Sequence, residues 1–143
     1  MTDQIRGQFQ YFQYFKNQTG LAVGIRDVLF SRHSEYQHIQ VWETDTFGRM
    51  MTLDGIIMFT DYDEFVYHEM ISHPAMCLLG DAERVLVVGG GDGGAIREVL
   101  RHAGVRAVHL VEIDREVIEA SRQFFPAISS GFADPRLTVH VRD

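Results

Sequence analysis

The sequence predicts an α/β protein in which a small antiparallel β domain precedes an open parallel sheet with helices packed on it. Three observations support this fold class. Residues 10–60 resemble short strands joined by turns, residues 84–143 alternate between strand and helix patterns, and a glycine-rich turn follows the first strand of that second region. We therefore divide the chain into an N-terminal β-sheet domain (1–60), a bridging helix (61–83) and an α/β domain (84–143).

The first region predicts an antiparallel meander. Apolar, aromatic and β-branched residues predict strands over 20–30, 38–44, 49–53 and 56–60. Residues 45–48 supply a tight connection, and the pair Asp54 and Gly55 is typical of a two-residue hairpin loop. Loops this short place consecutive strands side by side.

A helix is expected to follow this domain. Asp61, Asp63 and Glu64 stand where negative charge is favoured by the positive end of a helix dipole, and apolar residues recur after them. Pro74 lies inside this segment and would either bend the helix or split it.

The second region predicts strands over 84–88, 107–111 and 137–141 and helices over 95–102 and 116–125. An open parallel sheet of this kind usually has about five to seven strands, more than are written here. We expect a fold that is incomplete at its C-terminus, with apolar faces partly uncovered. A partner or a further C-terminal segment would cover them.

Composition and charge exclude several classes of function. The 143 residues carry a net charge of −7 and no run of Lys or Arg, which argues against nucleic acid or an anionic membrane as the main partner. No apolar stretch approaches the roughly 20 residues that span a bilayer, and the opening residues MTDQIRGQFQ do not resemble a signal peptide. We expect a cytoplasmic protein.

Neither a disulfide nor a metal site is expected. Cys77 is the single cysteine and has no neighbouring ligand at metal-binding spacing, so we interpret it as a buried small hydrophobic residue. His68 and His73 lack the i,i+4 spacing of two metal ligands on one helix face.

The strongest chemical signal is the glycine-rich turn at residues 88–94, VGGGDGG. Gly89, Gly91 and Gly94 match the pattern G-x-G-x-x-G between a strand and a helix, where glycine permits a tight turn, close approach of a ligand and close packing of the helix on the strand. Glu112 ends the next strand 18 residues after Gly94, where an acidic side chain accepts ribose hydroxyls. These features predict a Rossmann-like, nucleoside-binding domain; the alternative is that the glycines serve only the turn and Glu112 is a solvated strand end.

Asp92 points to the charge of the ligand. A carboxylate in this turn would repel the pyrophosphate of a dinucleotide. A cationic ligand suits it better, such as the sulfonium of an S-adenosylmethionine-type compound that has lost its carboxylate and keeps its ammonium group. Alternatively, Asp92 only caps the following helix, since aspartate is a favoured N-cap residue.

Taken together, these motifs resemble spermidine synthases over essentially the whole chain. The resemblance rests on YQHIQVWET, LDGIIMFT, DEFVYHEM, GGGDGGAIREVLRH and VEID. It implies a polyamine aminopropyltransferase with a Rossmann-like S-adenosylmethionine-dependent transferase fold. Such an enzyme moves an aminopropyl group from decarboxylated S-adenosylmethionine to putrescine, giving spermidine and methylthioadenosine. No cofactor is implied beyond this co-substrate, and subunits would pair as dimers or tetramers through the N-terminal domain.

The resemblance also assigns site residues. Those implied to bind the donor or methylthioadenosine are Gln37, Gly89, Gly91, Glu112 and Asp143, with Gln37 at the nucleoside end, Glu112 at the ribose and Asp143 at the adenine. Those implied to bind polyamine are Tyr67, His68 and Asp92. From the residues alone, Gln37 fits a strand residue facing water and Tyr67 a core aromatic equally well.

The sequence departs from the family pattern at three points. The family's catalytic Asp, in a motif resembling D-S-S-D-P, is not found and is expected beyond residue 143. Because the attacking amine needs a base, the chain is expected to be inactive without a C-terminal half, which could be a separate chain. Met58 and Arg142 stand where the family often has a polar residue and a glycine.

Two other functions stay open from the sequence. One is a methyltransferase of the same class, which would share the glycines and Glu112 but has no need of the β domain or Asp92. The other is a non-catalytic subunit that binds polyamine or nucleoside.

Overall fold

The computed structural model describes residues 9–16 and 19–143, which form two compact units that divide between Tyr62 and Asp63. Residues 1–8, on which part of the signal-peptide argument rested, lie outside the described residues. The first unit holds the β domain. The second holds the α/β region together with the helix that the sequence analysis treated as a bridge.

The described part of the first unit is a five-stranded antiparallel sheet in the order β1-β2-β3-β4-β5, so the predicted meander is confirmed. Its strands are β1 (Phe9–Tyr14), β2 (Gly20–His33), β3 (His38–Thr44), β4 (Arg49–Leu53) and β5 (Ile56–Thr60). Strand β1 was not predicted from the sequence. Strand β2 was predicted to end at residue 30, but it ends at His33.

The hairpin between β4 and β5 has the predicted two-residue loop. Asp54 and Gly55 have φ values of 49° and 75°, and two successive positive values are what a type I′ turn requires. The Asp54 side chain also accepts a hydrogen bond from the backbone N–H of His38 at 2.8 Å, which ties the loop to β3. Local chemistry therefore sets the register of these strands.

Trp42 is central to the core of the first unit. It is buried with Val23, Ile25 and Met50. Its indole N–H donates to Thr52 Oγ1 at 3.0 Å, so its one polar atom is satisfied inside the core. The Tyr11 ring packs on it at 5.1 Å, which explains why β1 belongs to the sheet.

The second unit contains a parallel sheet in the order β6-β7-β8, as predicted. Its described elements are α1 (Glu64–Leu79), β6 (Arg84–Val88), α2 (Gly94–Leu100), β7 (Ala107–Glu112), α3 (Arg115–Phe124), a 3-10 helix (Ile128–Ala133) and β8 (Leu137–Val141). The predicted helices and strands of this unit agree with these bounds to within two residues, except at both ends of α1. That helix spans Glu64–Leu79, inside the predicted range 61–83.

Helix α1 runs through Pro74 as one element, so the proline does not split it. Its buried residues are Glu64, His68, Ser72 and Met76, spaced four apart along a single stripe. Cys77 follows Met76 by one residue, a rotation of about 100° away from that stripe. Cys77 is exposed, and its prediction as a buried residue was wrong.

The core of the second unit lies between the sheet and helices α1, α2 and α3, and it includes Met76, Ile96, Leu110 and Ile118. The expected uncovered apolar surface is confirmed on β6, where Leu86 is 64% exposed and Val88 is 77% exposed. Within the described ranges, no helix is both long enough and apolar enough to cross a membrane.

Candidate functional site

The carboxyl ends of the three parallel strands gather most of the predicted donor-site residues. In a parallel sheet these ends share one edge, and ligands bind outside it. Here β6 leads into the glycine-rich turn, β7 ends at Glu112, and β8 is followed by Asp143. Gly89 and Gly93 have φ values of 75° and 88°, which few other residues adopt, so the turn needs glycine at these positions.

Two backbone hydrogen bonds hold the Glu112 carboxylate against this turn. Its side chain is buried, with 7% of the residue exposed. Its carboxylate accepts the backbone N–H of Gly91 at 2.9 Å on Oε2 and that of Asp114 at 3.0 Å on Oε1. Glu112 is therefore not a solvated strand end, and the alternative offered for it was wrong. A carboxylate has about four lone-pair sites, so it retains capacity for two hydroxyl groups, although its contact with ribose stays a prediction.

Gly91 owes its identity to the same contact. A Cβ atom at Gly91 would lie 3.1 Å from Glu112 Oε2 and 3.1 Å from the Val117 side chain. The turn can approach Glu112 this closely only without a side chain at that position.

Asp92 binds the first N–H of helix α2 and pairs with a histidine. Its Oδ1 accepts the backbone N–H of Gly94 at 2.7 Å. The N-cap position itself is Gly93, and α2 has no side-chain capping hydrogen bond, so the alternative that Asp92 only caps this helix was wrong. The same oxygen lies 3.1 Å from His68 Nε2. The Asp92 side chain is 21% exposed, so part of the carboxylate is accessible from outside.

His68 is buried between two carboxylates. Its Nδ1 lies 2.6 Å from Glu64 Oε2, its Nε2 faces Asp92, and its side chain is 2% exposed. A neutral imidazole donates from one nitrogen only, whereas the imidazolium donates from both. Burial disfavours that cation, but the hydrogen bonds and charges of Asp92 and Glu64 outweigh it and raise the pKa of His68 above its ordinary value.

The pKa of Asp92 moves in the opposite direction for the same reason. Burial alone would raise it, but the hydrogen bond and charge of His68 and the Gly94 N–H lower it below the ordinary value for aspartate. The two residues therefore stabilise each other as an ion pair. The His68 side chain is only 2% exposed, and its contact with a polyamine stays a prediction.

The absence of a side chain at Gly94 makes room for the His68 ring. A Cβ atom at Gly94 would overlap Nδ1, Cε1 and Cγ of that ring. Gly94 was expected to let the helix pack closely on the strand. The nearest contact at this position is instead with a side chain of α1.

A second group of charges behind His68 was missed by the sequence analysis. Arg97 binds both carboxylate oxygens of Glu64, at 2.8 and 2.9 Å. It also donates to Glu98 at 2.7 Å, and Glu98 accepts from Arg101 at 2.7 Å. Burial would raise the pKa of Glu98, but the two arginines lower it. The i,i+4 spacing of Glu64 and His68 and the i,i+3 spacing of Glu98 and Arg101 were signals of this network in the sequence.

Helices α1 and α2 also bring together three groups that could hold a metal ion. Ligand atoms of Glu69, His73 and Glu98 lie within 4.8 Å of one another. The Arg101 guanidinium is already 2.7 Å from Glu98 and 3.7 Å from Glu69. An arginine thus supplies the positive charge at this cluster, and a metal would have to displace it.

Three predicted site residues remain, namely Tyr67, Asp143 and Gln37. Tyr67 is exposed, and its ring meets that of His68 edge-on at 5.4 Å. Asp143 is exposed, and the preceding Arg142 N–H donates to the Glu112 carbonyl at 3.0 Å, so the chain runs past the Glu112 strand. Gln37 belongs to the first unit, where its carbonyl accepts the Ser34 N–H at 2.9 Å, and its donor contact stays a prediction.

These features define a two-unit protein with a Rossmann-like second unit. An antiparallel β domain is followed by a parallel sheet whose glycine-rich turn carries a carboxylate, at the place where dinucleotide-binding domains bind a pyrophosphate. Comparison with protein families agrees. Residues 64–143 match the family described as "Spermine/spermidine synthase domain", and residues 9–61 match "Spermidine synthase tetramerisation domain". The chain belongs to the spermine/spermidine synthase family.

Individual relatives support this assignment. The chain is 45% identical over 133 residues to the polyamine aminopropyltransferase of Bacillus subtilis, covering 91% of this chain and 48% of that protein. It is 44% identical over 122 residues to the spermidine synthase of Coffea arabica, covering 85% of this chain and 39% of that protein. The chain therefore spans about two fifths to one half of the length of these relatives.

Solved structures agree with the fold. The crystal structure of spermidine synthase from Thermotoga maritima superimposes with a TM-score of 0.93 at 41% identity, covering 98% of this chain and 50% of that one. A spermidine synthase in complex with the transition-state analogue AdoDATO gives the same TM-score and identity, with 49% of its chain covered.

Proposed function

We propose that this chain supplies the donor-binding half of an aminopropyltransferase that makes spermidine from putrescine and decarboxylated S-adenosylmethionine. The observation that carries the proposal is the partly exposed Asp92 carboxylate in the glycine-rich turn, fixed beside His68. A nucleoside fits the turn above Glu112, and an ammonium group fits Asp92.

The chemistry that the complete enzyme performs is a displacement at carbon. The amine nitrogen forms a bond to the propyl carbon next to sulfur, the bond from that carbon to sulfur breaks, and its electron pair returns to the sulfonium, which leaves as neutral methylthioadenosine. The amine gives up its proton to a base. We propose that this base lies outside the 143 residues, and that the residues present here orient the donor so that the amine attacks in line.

Asp92 contributes electrostatically to this step. A sulfonium and an ammonium on the same donor need a neighbouring anion, and a carboxylate held by His68 and the Gly94 N–H offers one without having to reorganise. The family membership favours aminopropyl over methyl transfer.

The proposal has two further parts, the oligomeric state of the protein and its location. The match of residues 9–61 to a tetramerisation domain supports homodimers or homotetramers formed through the first unit. We also place the protein in the cytoplasm, where its substrates would be made, and expect neither a cofactor nor a metal in the reaction.

The test is spermidine formation from putrescine and decarboxylated S-adenosylmethionine, with the chain alone and with the C-terminal half of a close relative added. We expect activity only in the mixture, because loss of a base costs about 10²- to 10⁴-fold. Asp92→Asn should strongly reduce that activity while preserving methylthioadenosine binding. Binding of ligands without activity in any mixture would instead favour the non-catalytic subunit, and full activity of Asp92→Asn would remove Asp92 from the site.

A further inference from the structure

Asp92 is the end of a chain of four charges in the second unit, of which the middle two, Glu64 and His68, are buried. Arg97 pairs with Glu64 at 2.8 Å, Glu64 with His68 at 2.6 Å, and His68 with Asp92 at 3.1 Å. The signs alternate along this chain if His68 is protonated, so each charge is compensated by its neighbours. A buried charge without such compensation would be costly.

Glu64 is the second of two carboxylates that favour the charged form of His68. The charged or polar groups facing the His68 ring include Glu64 on its own helix, Asp92 in the turn and the edge of Tyr67. Asp92 raises the pKa of His68 most, and Glu64 adds to this effect from the other ring nitrogen. Arg97 of α2 binds the Glu64 carboxylate. Without a negative charge at Glu64, the cations of Arg97 and His68 would face each other across a neutral group, which would lower the pKa of His68.

The orientation of Asp92 depends on the protonation of His68. Asp92 Oδ1 takes two donors, the Gly94 N–H and His68 Nε2. If the neutral ring carries its proton on Nε2, the hydrogen bond to Asp92 stays, but the positive charge that strengthens it is gone. If the proton is on Nδ1, Nε2 presents a lone pair to the carboxylate and the two repel. In both cases the carboxylate is held less firmly.

We propose that Glu64, held by Arg97, is a positioning residue that keeps His68 as a doubly donating imidazolium and thereby fixes Asp92 for the ammonium group of the ligand. The inference rests on the proposed function, since that function gives Asp92 its ligand. Glu64 itself is buried, with 9% of the residue exposed, so we do not expect it to contact the ligand directly. Its effect should therefore appear on the amine-bearing ligand and not on the nucleoside alone.

The first measurement needs no variant. Nitrogen-15 NMR of histidine-labelled chain reports the protonation of both His68 ring nitrogens as a function of pH. We expect more than half of the rings to carry both protons at pH 6.5, because the pKa of His68 is raised above that ordinary value. A ring that is mostly neutral at pH 6.5 would overturn the proposal, whatever any variant does.

The second measurement compares Glu64→Gln with Glu69→Gln, a change of the same kind on the same helix. Calorimetry at pH 7 measures the binding of methylthioadenosine and of decarboxylated S-adenosylmethionine to each variant. For Glu64→Gln we expect a lower His68 pKa and about tenfold weaker binding of the amine-bearing ligand, with methylthioadenosine within about twofold of wild type. Glu69→Gln should change neither affinity.

The outcomes separate this inference from the proposed function. If the wild-type chain binds methylthioadenosine but Glu64→Gln leaves both the His68 pKa and the preference for the amine-bearing ligand unchanged, the positioning role is wrong and the proposed site stands. If Glu64→Gln weakens both ligands equally, the role of Glu64 is structural and the inference fails. If neither ligand binds the wild-type chain, the proposed function fails, while the histidine titration still decides the protonation of His68.

Discussion

Replacing Gly94 by alanine tests the packing of the site directly. Alanine is ordinarily favoured over glycine in a helix by about 0.8–1.0 kcal/mol. Gly94 does not have a positive φ, so its backbone would accept the change. The added Cβ, however, would overlap three atoms of the His68 ring. We expect the overlap to outweigh the helix propensity.

The magnitude follows from how firmly the ring is held. Overpacking a filled site typically costs about 1–3 kcal/mol. The His68 ring cannot move aside without lengthening its contacts of 2.6 Å to Glu64 and 3.1 Å to Asp92, so relief by a small shift costs hydrogen-bond energy as well. We expect a net loss of about 2 kcal/mol in the free energy of unfolding of the second unit.

The assay is urea unfolding followed by circular dichroism at 222 nm. In the part of the chain that the structure describes, the helices lie in the second unit, so this signal reports that unit. The matched control is Gly104→Ala, because a Cβ at Gly104 meets nothing within 4 Å. The control should be neutral or stabilising by up to about 1 kcal/mol. If Gly94→Ala proved as stable as Gly104→Ala, the close contact between Gly94 and His68 would be wrong.

Three other predictions concern the same unit. Because the pKa of His68 is raised in the folded state, its stabilising contribution is complete below pH 6.5 and is lost as the pH rises through the folded pKa. The urea concentration at the midpoint of unfolding should therefore decrease for the wild type as the pH rises above 6.5. A midpoint that does not change with pH would contradict this. Glu112→Gln should weaken methylthioadenosine binding in calorimetry by about 1.5–3 kcal/mol, and unchanged affinity would remove Glu112 from the site. Cys77 should react with a thiol reagent such as DTNB in the folded chain without denaturant, whereas a need for denaturant would show it is buried.

The sequence predicted the parts of the fold that local chemistry determines. Asp54 and Gly55 specify a turn by their tolerance of positive φ, and the alternation of strands and helices after residue 84 specifies a parallel sheet. β1 was missed because its place in the sheet depends on pairing with β2 and on Tyr11 packing against Trp42, which are contacts between distant residues.

The candidate site shows the same limit. Spacing was enough to single out Gly89, Gly91 and Glu112, since the strand-turn-helix pattern brings them to one edge. It did not predict that Gly94 accommodates His68, because that contact joins α1 to α2 across 26 positions of the chain. Cys77 was misplaced for a related reason: an apolar helix segment does not reveal which of its faces will be covered.

Calorimetry of the 143-residue chain with methylthioadenosine and with decarboxylated S-adenosylmethionine tests the proposed donor site most directly. We expect both ligands to bind and the amine-bearing donor to bind more tightly, since only it carries an ammonium group that could pair with the Asp92 carboxylate. Failure of both ligands to bind would contradict the claim that this chain holds the donor half of an aminopropyltransferase site.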